Sequence, residues 1–139
     1  MTPEDVERVV RTAARVHDDI ALSRTFYRLL FERHPELRAL FPADMSHQLH
    51  RFVVELEALA TSLPDLVGFE RRAHELGERH VAYGVTSRHY PMVRDALVDA
   101  LADYLQPSFG PEDRLAWVRA FNLLAEVMLE GTEQVGVRE

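Results

Sequence analysis

No cysteine occurs in the 139 residues, so disulfides, thiolate nucleophiles and cysteine-ligated metal centres are all excluded. Lysine is missing as well: the 16 strongly basic residues are all arginine, set against 23 acids for a net charge of −7. A chain this acidic lacks the basic face that neutralises phosphates, which argues against nucleic-acid binding. No apolar run approaches the roughly 20 residues a membrane-spanning helix needs. The N-terminus, MTPEDVERVV, is acidic and has no apolar stretch of the kind that directs export, so the cytoplasm is the expected compartment. Glycine-rich phosphate loops, nucleophile elbows and serine–histidine–acid arrangements are also missing, and no catalytic residue is assigned.

Helix signals are dense. Thr2-Pro3-Glu4-Asp5 reads as an N-cap, a proline in the first helical position and acids in the first turn. Val6, Val9, Val10, Ala13 and Val16 follow at helical spacing, predicting a first helix to about residue 18. A second is expected from Ile20 to His34, stopped by Pro35, and a short helical turn from Pro35 to Phe41. A long helix follows, capped by Asp44 or Ser46, carrying Leu49, Phe52, Leu56 and Leu59 to a stop before Pro64. The next carries Phe69, Ala73, Leu76 and His80 to Gly84; another runs from a Ser87 cap to Leu105; the last opens at Gly110-Pro111 and holds Trp117, Phe121, Leu124 and Met128. Seven helical pieces without a repeat predict one all-α domain over residues 1–139.

Polar residues inside the apolar stripes are the unusual feature. Phe69, Ala73, Leu76 and His80 are spaced four, three and four apart, which puts His80 on the buried face near the helix end. Taken alone, such a residue is either a core histidine bonded to a backbone carbonyl or a ligand. Tyr27 shares a stripe with Ile20, Ser23, Leu30 and Phe31, so its hydroxyl is directed inward. Gln48 lies one turn before Phe52 on the same face, and Arg51 sits beside it; alone, Gln48 reads as solvated. His74 and His80 are six apart and about 120° out of alignment, which excludes the paired-histidine helix of zinc proteases. His17, His34 and His89 fall at helix ends or joints and are expected to face solvent.

Taken in order, these segments resemble the single-domain bacterial globins, which are related to the haem domain of flavohaemoglobins. Thr25-Phe26-Tyr27-Arg28-Leu29-Leu30-Phe31 and the run from His34-Pro35 to Leu40-Phe41 are similar to the family's second and third helices. Leu76 to Val85, then His89-Tyr90-Pro91, resembles its proximal segment, and Ala116-Trp117, Ala120-Phe121 and Met128 its last helix. The resemblance implies a globin fold around haem b (iron protoporphyrin IX). His80 would then be the proximal iron ligand and Phe41 the ring against the porphyrin. Tyr27 and Gln48 would be the distal polar groups. Phe52 and Leu76 would wall the pocket, with Val85 and Tyr90 on the proximal side and Arg51 reaching a propionate. Tyr27 and Gln48 are hydrogen-bond donors suited to the outer oxygen of dioxygen.

The function so implied is reversible binding of dioxygen, or of nitric oxide or carbon monoxide, for storage, delivery or sensing. A second function, nitric oxide dioxygenase, uses the same residues and an external reductase, since the resemblance finds no reductase domain in this sequence. A third, a haem-free interaction module, predicts loss of His80, Phe41 and Tyr27, all of which are present. In flavohaemoglobins a tyrosine and a glutamate back the proximal histidine. Tyr90 matches the first, but Thr132 falls at the second, with Glu130 and Glu133 out of register. The expected outcome is a weaker proximal push, favouring gas binding over peroxide chemistry.

Overall fold

The computed structural model describes residues 1–16 and 20–138, with side chains described through residue 130. All seven helical pieces form: α1 (Pro3–Ala13), α2 (Ile20–Arg33), a 3-10 helix (Pro35–Leu40), α3 (Ser46–Ser62), α4 (Leu66–Ala82), α5 (His89–Leu105) and α6 (Pro111–Arg138). No strand occurs among the described residues. None of the described helices is long and apolar enough to cross a membrane.

Local chemistry accounts for most of the boundaries. Thr2 and Asp5 close a reciprocal capping box in front of Pro3. Pro35 ends α2 at Arg33 by removing helical geometry from His34, and itself opens the 3-10 turn. Gly84 terminates the turn after α4 with φ of 90°, a left-handed geometry that a side chain would resist. Three expectations need correction, one of them at α5, where Arg88 and not Ser87 holds the N-cap position. The first helix stops at Ala13, followed by a tight turn whose 14–16 amides bond back to Val10, Thr12 and Ala13; the 17–18 stretch given to it, His17 included, lies outside the described residues. Neither Asp44 nor Ser46 caps α3 as an N-cap residue, because Met45 holds that position. Asp44 instead accepts from the Ser46 amide and hydroxyl, ordering the approach to the helix.

One core joins the helices. Val9, Leu22, Phe26, Leu30, Val53, Ala73, Val98, Leu101 and Trp117 are all nearly inaccessible. The closest crossing lies between α4 and α6. There Gly77 brings the helix backbones so near that an added Cβ would stand 2.3 Å from the Met128 carbonyl oxygen. Since α4 carries His80, that crossing fixes the height of the histidine in the molecule.

Candidate functional site

Aromatic packing from α2 and α3 builds one wall of the site. Phe26 stacks on Phe52 with centroids 4.3 Å apart, and Tyr27 stands edge-on to Phe41 at 5.4 Å and to Phe52 at 5.5 Å. Ser23, one turn before Tyr27, donates to the Leu49 carbonyl at 2.7 Å and so sets α2 against the start of α3. That contact puts Gln48 within reach of Tyr27: the Gln48 amide donates to the Tyr27 hydroxyl oxygen at 2.9 Å. Gln48 is therefore not simply solvated. Phe41 is held by a loop that Arg38 ties down, its guanidinium donating to the Phe41, Pro42 and Ala43 carbonyls. Four of the residues singled out from sequence, Tyr27, Phe41, Gln48 and Phe52, thus converge.

Burial pushes the Tyr27 phenol up to about 12, although the Gln48 hydrogen bond and the positive charge of Arg51 both work against the rise. The hydroxyl keeps its proton throughout the neutral range. Because its oxygen accepts from Gln48, that proton remains available to another acceptor. Arg51 itself is exposed at the rim.

The remaining polar residue singled out from the sequence comes from α4. His80 sits near the helix end, half-buried rather than fully enclosed, and its Nδ1 lies 2.8 Å from the Leu76 carbonyl. A carbonyl can only accept, so Nδ1 carries the proton and Nε2 keeps its lone pair. Burial lowers the imidazole's basicity below the usual histidine value; the Leu76 bond opposes this, Arg79 adds to it and the Glu55 carboxylate opposes it. The ring is neutral at pH 7, with one nitrogen engaged and the other free. A haem iron needs that donor arrangement from a protein imidazole, so the residues present fit the group. Among the described residues no cluster of three or more His, Asp or Glu side chains suits a metal ion on its own.

Leu76 and Val85 are half-buried against the core beside His80. Tyr90 is buried, which raises its phenol pKa, and among the described residues no carboxylate is hydrogen-bonded to it. Glu130 pairs instead with His74 at 3.6 Å; the Thr132 and Glu133 side chains lie outside those described. A groove of about 320 Å³ between α5 and α6 touches Tyr90 and Phe121 but neither His80 nor Tyr27. Its lining holds neither of the two polar groups that matter, so it is not assigned as the ligand pocket.

Two residues of this region escaped the sequence. Glu55 follows Phe52 by three positions, and helical spacing alone would have placed it on the same side. It meets Arg79 of α4 at 3.9 Å and leaves Oε1 buried without a hydrogen bond. His89 was expected to face solvent; it is only 6% exposed, because its ring folds back onto the turn before α5. His34, expected outside as well, is half-buried.

Both the sequence and the fold have counterparts among known proteins. The sequence profile of the Globin family matches residues 24–128. An uncharacterized globin-like protein from Aquifex aeolicus is 26% identical over 131 residues, covering 93% of both chains. The flavohemoprotein of Deinococcus radiodurans is 31% identical over 134 residues, 93% of this chain, which spans only 33% of that longer protein. In structure, the chain superimposes with a TM-score of 0.85 and 28% identity on an engineered carbene transferase from Rhodothermus marinus. The parent of that enzyme carries a provisional assignment as a nitric oxide dioxygenase, and the match covers 99% of this chain and 97% of the other. A globin from Campylobacter jejuni gives a TM-score of 0.79 over 96% of this chain at 20% identity, a likeness of fold. With three quarters of its length inside the family profile and the globin fold throughout, the chain belongs to the globin family, whose members are haem proteins.

Proposed function

We propose that the chain holds haem b through Nε2 of His80 and binds dioxygen and related diatomic gases reversibly on the side of Tyr27 and Gln48. The observation that carries this reading is the division of labour at His80, with Nδ1 committed to the Leu76 carbonyl and Nε2 left free. Haem held by His80 would supply an iron able to take up a small gaseous ligand.

The chain's own residues supply the rest. The Leu76 carbonyl fixes the tautomer and orientation of His80, and burial keeps the ring neutral, the form that can donate a lone pair. Gln48 orients the Tyr27 hydroxyl, whose proton is aimed at a ligand that gains negative charge. Phe41 and Phe52 exclude water, protecting that hydrogen bond from competition. Leu76 and Val85 line the histidine side, and Tyr90 is buried in the core cluster. Arg51, exposed at the rim, suits a haem propionate, a contact worth about 0–1 kcal/mol.

Nitric oxide dioxygenase chemistry is the second reading, favoured by the Rhodothermus relative and by the flavohemoproteins. It requires a reductant that a separate reductase would deliver. Stopped-flow mixing of the dioxygen-loaded protein with excess nitric oxide and a reductase separates the two readings. Sustained turnover supports the enzyme, whereas a single turnover leaves gas binding. For the primary reading, Tyr27→Phe is expected to retain haem while dioxygen release accelerates about ten- to a hundredfold, the size of one charge-assisted hydrogen bond. Unchanged release would remove Tyr27 from the ligand side.

A further inference from the structure

The turn between α4 and α5 is closed by a side chain that titrates. His89, first residue of α5, accepts the Thr86 backbone N–H at Nδ1 over 3.0 Å, and its own backbone N–H donates to the Thr86 carbonyl over 3.0 Å. The adjacent Val85 N–H donates to the carbonyl of His80 over 3.0 Å, and the Tyr83 N–H to that same oxygen over 3.1 Å. Hydrogen bonds made by the adjacent Val85 and Thr86 amides therefore tie one stretch of backbone to the main chain of His80 on one side and to the His89 ring on the other. Accepting at Nδ1 requires that nitrogen to be unprotonated. A proton there would set two N–H groups against each other.

We infer that neutral His89 is a positioning residue for His80, latching the 83–88 turn through the Thr86 amide, and that acid releases the latch. This inference rests on the proposal that His80 is the iron ligand. Burial disfavours the charged ring; Arg88 beside it adds to that, and Glu36 from the 3-10 helix opposes it. Among the described residues those two are the charges that bear on the ring, so the latch stays shut at neutral pH and opens below the ordinary histidine range.

The test follows hydrogen exchange of the 83–90 segment, relative to the intrinsic rate, together with haem absorbance, from about pH 8 to about pH 4.5, a window spanning the unperturbed histidine value. The haem-loaded wild type, His89→Asn and His89→Ala are compared. An asparagine oxygen can take the place of Nδ1 as acceptor but does not titrate. Wild type should lose protection about tenfold across the acid limb, the size of a lost buried hydrogen bond. His89→Asn should loosen less in acid than wild type and release haem at a lower pH, and His89→Ala should exchange fast throughout. Equal acid loosening in wild type and His89→Asn would overturn the proposal, as would full protection in His89→Ala at neutral pH. Should His89→Ala fail to fold, wild type against His89→Asn still decides. Failure to take up haem at all would end the His80 reading instead, and exchange in the haem-free chain would still judge the latch.

Discussion

Tyr27 lies among Phe26, Phe31, Phe41 and Phe52, and that enclosure is why its phenol ionises only near 12. An ultraviolet pH titration should show a tyrosine step near 12 that Tyr27→Phe removes; a step there that survives would place the buried phenol elsewhere. Tyr27 was legible in the sequence because helical periodicity directs its hydroxyl inward, whereas Gln48, which alone reads as solvated, was marked out by the family resemblance. Their mutual hydrogen bond was not, since it depends on how α2 crosses α3, a contact set by Ser23 and the Leu49 carbonyl. His89 was misjudged for a related reason. Position at a helix start suggests exposure, but the backbone turn at Thr86 offered its ring a partner that no periodic pattern encodes.

At the scale of helices, the α4–α6 crossing depends on the missing side chain of Gly77. Alanine there would favour the helix by about 1 kcal/mol in isolation. Its Cβ, however, would meet the Met128 carbonyl at 2.3 Å, and backbone cannot rotate aside as a side chain can. Overpacking of this kind costs about 1–3 kcal/mol, so Gly77→Ala should lower the thermal midpoint. It should also weaken haem retention, because α4 carries His80. A midpoint equal to or above wild type would mean that the two helices are not held this close. Helix boundaries were readable where proline marks them, at Pro35 and before Pro64. The end of α1 at Ala13 has no such mark: Val16 continues the apolar spacing and is buried from within a turn rather than a helix.

The whole molecule is closed by contacts between its first and last helices. Trp117 donates its indole N–H to the Thr12 hydroxyl at 2.7 Å, fully buried, and Thr12 in turn donates to the Arg8 carbonyl. Thr12→Val would orphan the indole N–H and should cost about 1–3 kcal/mol in chemical denaturation; no loss would mean that the bond contributes nothing net. Acid should act on the fold in two windows. His80 and His89 are both held below the usual histidine value by burial, so the unfolded chain binds protons more readily. Stability of the haem-free protein is therefore full above about pH 6.5 and declines as pH falls through the folded values. Asp5, held low by the Thr2 amide, and Asp44, held low by the Ser46 hydroxyl, act only below about pH 4. Thermal midpoints that stay constant between about pH 7 and about pH 5 would contradict the histidine assignment.

The account turns on one nitrogen, Nε2 of His80. Titrating haem into the purified chain and into His80→Ala, and recording the ferrous absorption spectrum of each with and without dioxygen, tests it most directly. Wild type should take up one haem with a sharp Soret band that shifts when dioxygen is admitted, and His80→Ala should lose most of its haem affinity. Retained haem with unchanged iron spectra in His80→Ala would show that another residue is the ligand.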